Sequence, residues 1–307
     1  MKKLSIIVPC LNEQEAVPIF YQALCAETDK MPVTMELIFI DDGSTDDTLA
    51  SFRNLRAQDP RVHFVSFSRN FGKEAAMFAG MEAATGDYVA IMDVDLQDPP
   101  SLLPGMLQSI TEEGYDCVAT RRVTRTGEPK IRSWFARMFY KLINRISKID
   151  IVDGARDYRL MTRQMVDSVL SLKEVSRFSK GIFSWVGFRT KWLAYENIER
   201  VAGETKWNFW KLLLYSFDGI VDFSTAPLAI ASVTGLLFCL FALFFILYFF
   251  FKTLIWGDPV AGFPATICTI LLLGGIQLFC VGIVGQYLSK TYLETKKRPL
   301  YITKEEE

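Results

Sequence analysis

Over the first 120 residues, short apolar runs alternate with longer stretches of mixed, helix-spaced polarity. Residues 4–9, 36–40, 62–67, 88–92 and 117–120 are compact apolar runs of strand length. Between them, residues 12–27, 45–57, 73–84 and 102–113 carry helical spacing, and Asp, Ser and Thr cluster as caps before the second of these. Thr85-Gly86 closes the third helix, with Gly86 expected as its C′ residue. Nearly continuous apolar strands separated by helices imply an α/β fold built on a mainly parallel, Rossmann-like sheet covered on both faces. Ligands of such sheets bind beyond the carboxyl ends of the strands, and polar residues crowd those ends here.

The pattern then changes twice. From residue 131 to 148, Ile131, Trp134, Phe135, Met138, Phe139, Leu142, Ile143 and Ile146 fall on one helical face, with Arg132, Arg137, Lys141, Arg145 and Lys148 on the remainder. A basic, aromatic-rich amphipathic helix suits a membrane interface, the alternative being a surface helix packed on the sheet. Residues 207–217 form a second segment of this kind. Beyond them, no charge occurs from Phe223 to Phe251 or from Pro259 to Ser289. Each stretch exceeds the roughly 20 apolar residues that cross a bilayer, so membrane spans are expected at 226–251 and 264–289 within a 223–290 transmembrane domain.

No secretory leader is read at the start, so residues 1–222 are expected to stay in the cytosol. Lys290, Lys296, Lys297 and Arg298 follow the second span, against a single Lys252 in the short loop between spans. That bias predicts a multi-pass protein of the plasma membrane with its large domain and both termini cytoplasmic. The tail, 291–307, ends in Lys304-Glu305-Glu306-Glu307 and is expected to be frayed and solvated.

Composition removes several function classes. A net charge of −1 argues against a nucleic-acid partner. Six cysteines without CxxC spacing argue against a disulfide framework or zinc site. The single histidine, His63, lies inside a strand, which leaves no Ser-His or Cys-His mechanism.

The chemistry is concentrated at strand ends. Asp93-Val94-Asp95 follows the fourth strand, and two carboxylates at i and i+2 can face one pocket where a strand gives way to loop. Hard oxygen ligands of this kind suit Mg²⁺ or Mn²⁺ shared with substrate phosphates. The motif has companions: Val8-Pro9-Cys10-Leu11-Asn12-Glu13, Asp41-Asp42-Gly43-Ser44-Thr45-Asp46, Arg69-Asn70-Phe71-Gly72-Lys73 and Asp93-Val94-Asp95-Leu96-Gln97-Asp98-Pro99-Pro100. Taken in this order they resemble family 2 glycosyltransferases of the GT-A fold. Within that family the resemblance is to polyprenyl-phosphate sugar transferases, the dolichol-phosphate mannose synthases and bactoprenol glucosyltransferases, and it covers essentially the whole chain.

The resemblance implies roles for matching positions. Pro9, Asn12, Glu13, Asp42, Lys73 and Arg121 would bind the nucleotide-sugar, with Asp41 bracing the strand end. Asp93, Asp95 and Asp157 would be the catalytic carboxylates, with Asp95 and Gln97 as metal ligands. Arg132, Arg156, Arg159, Arg200 and Lys206 would face the acceptor phosphate, Arg200 to Lys206 matching the family's Arg-x-x-Gly-x-Ser/Thr-Lys segment. Arg suits phosphate because its planar fork grips two oxygens. Asp157 would act as a base or orient the acceptor, the structural alternative being a cap for the helix at 162–170.

The implied reaction is inverting transfer of a hexose, with UDP-glucose favoured as donor, onto undecaprenyl (bactoprenol) phosphate at the cytoplasmic membrane face, for cell-envelope glycan modification. GlcNAc, galactose, mannose or an amino-pentose are other donors, and a non-catalytic nucleotide-sugar scaffold is the rival class. A processive synthase is disfavoured because no Gln-x-x-Arg-Trp motif occurs. A transporter is disfavoured because the spans hold no ionisable residue. Gly274, Gly275, Gly282 and Gly285 permit close helix packing, so a homo-oligomer is compatible with the second span.

Overall fold

A computed structural model of the protein describes residues 1–122, 138, 144–145, 152, 154–195, 220–256 and 263–307. The amphipathic segments expected at 131–148 and 207–217 lie largely outside the described residues, as do Arg132, Arg200 and Lys206.

Strands β1 (Lys2–Cys10), β2 (Val33–Asp41), β3 (Val62–Phe67), β4 (Tyr88–Ile91) and β5 (Cys117–Arg122) fall on the five apolar runs. Three further strands, β6 (Ala155–Thr162), β7 (Thr190–Tyr195) and β8 (Thr303–Glu306), complete an eight-stranded sheet in the order β7-β5-β6-β4-β1-β2-β3-β8. β1 pairs in parallel with β2 and β4, β2 with β3, and β5 with β7; β6 runs antiparallel to β4 and β5, and β8 antiparallel to β3. The sheet is therefore mixed, but β6 and β8 alone oppose the common direction. Apolar side chains alternate to its two faces, where helices α1 (Ala16–Thr28), α2 (Thr48–Gln58) and α4 (Leu103–Thr111) cover one side. Helices α3 (Lys73–Ala83), α5 (Arg163–Ser171) and α6 (Ser179–Trp185) cover the other. On the first face Phe20, Phe39, Phe52 and Phe64 form a continuous ladder, with Phe39 and Phe52 stacked at 4.6 Å between centroids. Burying one such ring contributes about 1.5–3 kcal/mol.

Two expectations change here. Gly86 does not close α3 in the left-handed conformation; the chain leaves the helix at Ala84 in an extended one. Glycine is required at 86 because a Cβ there would lie 2.6 Å from Ser5 Oγ and 2.8 Å from the Lys3 carbonyl. The carboxyl terminus is not a frayed tail either. Residues 303–306 add β8 to the exposed edge of β3, and Arg53 pairs with Glu305. An edge strand offers unpaired N–H and C=O groups to any chain that can reach it, and this chain's own end does so.

Helices α7 (Ala226–Trp256) and α8 (Phe263–Thr295) contain 31 and 33 residues. Both are long and apolar enough to cross a membrane, with side chains such as Leu236, Phe244, Leu278 and Val281 exposed. Their charged end is joined to the sheet domain. Lys290 of α8 pairs with Asp222 at 2.6 Å, Glu294 accepts from the Val175 amide at 2.7 Å, and the Tyr287 hydroxyl donates to the Ser224 carbonyl.

Candidate active site

Because β1–β5 and β7 share one direction, their carboxyl ends meet at one edge of the sheet. The antiparallel β6 delivers its first residues to that same edge. Residues 12, 42, 73, 93, 95, 122, 156, 157 and 195 are thereby gathered from seven segments of sequence.

The donor-side loops are tied together by short polar contacts. Asn12, at φ 53°, accepts from the Thr45 amide at 2.8 Å and donates its own amide to Ser44 Oγ at 2.9 Å. The Glu13 amide donates to Thr48 Oγ1 at 2.8 Å, and Pro9 is half-buried at the end of β1. Asp41 braces the end of β2, accepting from the Ser44 amide and from Ser66 Oγ at 2.8 and 2.7 Å. Asp42 is buried and accepts from the Phe71 amide at 2.7 Å and the Gly72 amide at 3.0 Å. Burial raises its carboxyl pKa, partly offset by those two amides. Its carboxylate thus fastens the Arg69–Lys73 loop, a use that the sequence pattern had not suggested. Gly43, at φ 71°, lets that loop approach, since a Cβ there would lie 2.4 Å from the Arg69 carbonyl carbon.

The centre is a chain of alternating charge. Lys73, expected beside the nucleotide, reaches Asp93 at 2.7 Å and Asp157 at 2.6 Å. Arg156 lies 3.9 Å from the other Asp93 oxygen and 3.3 Å from Asp98. Asp98 is fully buried and accepts a hydrogen bond from the Tyr195 hydroxyl. The sequence Asp157–Lys73–Asp93–Arg156–Asp98–Tyr195 is thus continuous in space. Burial would raise Asp157, but the charge of Lys73, with Lys180 and Arg159, overrides it and holds the carboxyl far below the usual range. Burial would lower Lys73, and Asp157 and Asp93 reverse that, so the ammonium is strongly stabilised. Burial raises Asp98 despite Arg156, and burial together with Asp98 pushes Tyr195 up to about 12.

Asp95 is buried and accepts from the Gln97 amide at 3.1 Å across a turn in which Leu96 has φ 54°. A leucine held there is strained, a feature that concentrates at functional sites. Gln97, expected as a metal ligand, has its side-chain oxygen engaged by Arg122 Nη2 at 2.9 Å. Arg121 is exposed at the end of β5. Arg159 does not join Arg156. It shares a face of β6 with Asp157 but lies one pleat further in, 3% exposed, 3.7 Å over the Phe183 ring, donating to the carbonyls of Arg156 and Asp157. Asp157 does not cap α5; Thr162 does, accepting from the Met165 amide at 3.4 Å.

Asp98, Arg122, Lys180 and Tyr195 were missed as site residues. Asp98 stood within the quoted Asp93–Pro100 motif and Arg122 beside Arg121, so both had a local signal. Lys180 and Tyr195 had none, because their positions depend on α6 and β7.

A mainly co-directional α/β sheet with a cation-bridged carboxylate cluster at its carboxyl edge defines a class of protein suited to handling charged ligands. Residues 5–170 match the description "Glycosyl transferase family 2". The chain is 42% identical over 302 residues to the prophage bactoprenol glucosyl transferase homolog of Escherichia coli K12, covering 98% of each. It is 41% identical to the bactoprenol glucosyl transferase of Shigella phage SfX, covering 98% of this chain and 99% of the relative. Among solved structures, it is similar to glucosyl-3-phosphoglycerate synthase from Mycobacterium tuberculosis in complex with Mn²⁺ and UDP-glucose. That likeness has a TM-score of 0.46 at 20% identity, over 72% of this chain and 77% of that one. The chain belongs to glycosyl transferase family 2, and its sheet is of the GT-A kind that the sequence implied.

Proposed function

We propose that this protein transfers a hexose, glucose from UDP-glucose as the leading case, to a polyprenyl phosphate at the cytoplasmic face of a membrane. One observation carries the reading: the likeness to proteins named bactoprenol glucosyl transferase spans 98% of the chain, including both long apolar helices. In this reading residues 1–222 form the cytosolic catalytic domain and α7 and α8 cross the bilayer that holds the lipid acceptor.

A divalent cation belongs to the reading, and the donor set fits one. The candidate ligands, the Asp95 carboxylate and the Gln97 side-chain oxygen, are hard oxygens. That suits Mg²⁺ or Mn²⁺ held by one or two carboxylates and by substrate phosphates. In this reading Asp95 would hold it, and Gln97 would join only on release from Arg122. When bound, the cation would offset charge on the departing nucleoside diphosphate.

The chain's own residues supply positioning and charge. A phosphate monoester, with a second pKa of about 6, is already largely anionic at neutral pH. Its oxygen attacks the anomeric carbon as the bond to the nucleoside diphosphate breaks on the opposite face, inverting configuration. A carboxylate held as low as Asp157 is a poor proton acceptor, since efficient bases titrate near the working pH. This supports an orienting role, in which Asp157 sets Lys73 and Lys73 and Arg156 face the phosphates. Preorganised charge of this kind is a large catalytic term.

The test supplies the purified full chain with undecaprenyl phosphate, Mg²⁺ or Mn²⁺ and a panel of radiolabelled nucleotide sugars, with Asp95→Asn alongside. Label should enter the lipid phase with UDP-glucose and fall about 100-fold or more in the variant. Nucleotide-sugar binding without lipid label from any donor would overturn the proposal in favour of a binding scaffold.

A further inference from the structure

The segment beyond α8 closes on the catalytic domain at a defined place. Tyr301 stacks on Phe67, the last residue of β3, with ring centroids 4.8 Å apart and planes at 21°. Phe67 in turn meets Phe71 edge-to-face at 5.8 Å, and the Arg69 guanidinium lies 4.0 Å over the Phe71 ring. The Phe71 amide is a donor to Asp42, and Lys73, two residues on, bridges Asp93 and Asp157. The Tyr301 hydroxyl is fixed by Glu82 of α3 at 2.8 Å, so the ring is anchored to the helix that Lys73 begins. β8 secures the same segment to β3 by its ladder, with the Ser68 amide donating to the Ile302 carbonyl at 2.9 Å.

We propose that Tyr301 is a positioning residue for the donor site: the carboxyl-terminal strap presses Phe67 and Phe71 into register and thereby holds the Arg69–Lys73 loop against Asp42. The loop is also tied at its far end, where Lys73 reaches Asp93 and Asp157. It contains Gly72 at φ 99°, and its two central amides are both spent on the Asp42 carboxylate. Removing the aromatic backing frees Phe71, and the cost falls on Asp42 and Lys73 together. Because the strap follows directly from α8, the membrane-side helix and the donor loop become parts of one continuous restraint.

The proposal's nucleotide arm rests on the transferase reading above, so its test includes a readout that needs no nucleotide. In the full chain, hydrogen–deuterium exchange of the 67–73 segment is compared for wild type, Tyr301→Ala and Tyr301→Phe. Aromatic pairs of this kind contribute enough to alter a local equilibrium by about fivefold to tenfold. Exchange should quicken by about that factor in Tyr301→Ala and return close to wild type in Tyr301→Phe, which keeps the stack and loses only the bond to Glu82. Calorimetric binding of UDP should weaken about as much in Tyr301→Ala, with Glu305→Gln, which touches only the exposed ion pair with Arg53, left unchanged. If Tyr301→Ala proves too unstable to purify, Phe71→Leu interrupts the same chain from its other end and should quicken exchange of the loop likewise. Unaltered exchange in whichever of these two variants is measured overturns the strap. Wild-type protein that binds no UDP would count against the donor assignment instead, while the exchange result still decides the role of Tyr301.

Discussion

The residues of the charged centre gain their properties from one another. A lone Asp98 with no solvent contact would be costly in any state; here Arg156 and Tyr195 share its two oxygens. Removing a partner from a buried carboxylate costs about 1–3 kcal/mol, because the group left behind keeps its desolvation penalty. Tyr195→Phe should therefore lower stability by about that amount, read from denaturant midpoints of the detergent-solubilised protein. The direct loss should be in folding, since the hydroxyl faces Asp98 rather than the strand-edge opening where Lys73 and Asp157 meet. The Asp93–Asp95 pair drew attention in the sequence through its place after an apolar strand and its companion strand-end segments. The pairing of Lys73 with Asp157 was not legible there, since the two residues are 84 positions apart and meet only when β6 is laid beside β4.

At the scale of elements, the strand periods were readable because β1 to β5 are short, apolar and bounded by polar turns. Strands β6 and β7 were not read, since Arg156, Asp157 and Arg159 break the apolar pattern of one and Lys191 that of the other. The join between β1, β2 and α3 carries a testable pH dependence. Glu36 is buried in β2 and accepts from Lys3 Nζ, Ser5 Oγ and Thr85. Burial would raise its pKa, but these donors outweigh it and hold the carboxyl at about 2 against a usual 4.5. A depressed folded-state pKa contributes stability that is complete above the unfolded value and disappears as the pH falls through the folded one. Stability on the order of 2–3 kcal/mol should be lost between pH 4.5 and 2, and Glu36→Gln should flatten that part of a stability-against-pH curve.

At the scale of the whole molecule, the apolar helices and the sheet domain meet through a small set of polar contacts. Lys290 and Asp222 are both largely buried, and Ser176 contributes a hydroxyl to each. The same segment runs on to Ser179, whose amide and hydroxyl reach Glu74 in the first turn of α3. Breaking a buried pair from one side leaves an uncompensated charge and typically costs about 3–5 kcal/mol. Lys290→Met should lower the thermal midpoint of the full chain accordingly, and adding Asp222→Asn should recover part of the loss. Equal midpoints for the single variant and wild type would show that the pair does not join the two parts. Lys290 had been read from its position as one of several positive-inside charges; its actual use is internal.

What the sequence by itself determined were the properties carried by local pattern. These are the strand–helix alternation, the polar strand ends, the Asp93–Asp95 motif, and two helices too long and apolar for an ordinary core. Each depends on residues close in the chain, where period and charge act directly. Tertiary structure alone decided which charges neutralise which. Asp42 was turned to hold a loop, Arg159 was buried against the Phe183 ring, Lys73 was set between two carboxylates, and the acidic tail was paired as β8. The physical reason is the same in each case. A charged side chain near an end of the chain or a strand looks solvated until a distant segment removes the water, and only then must it find a partner.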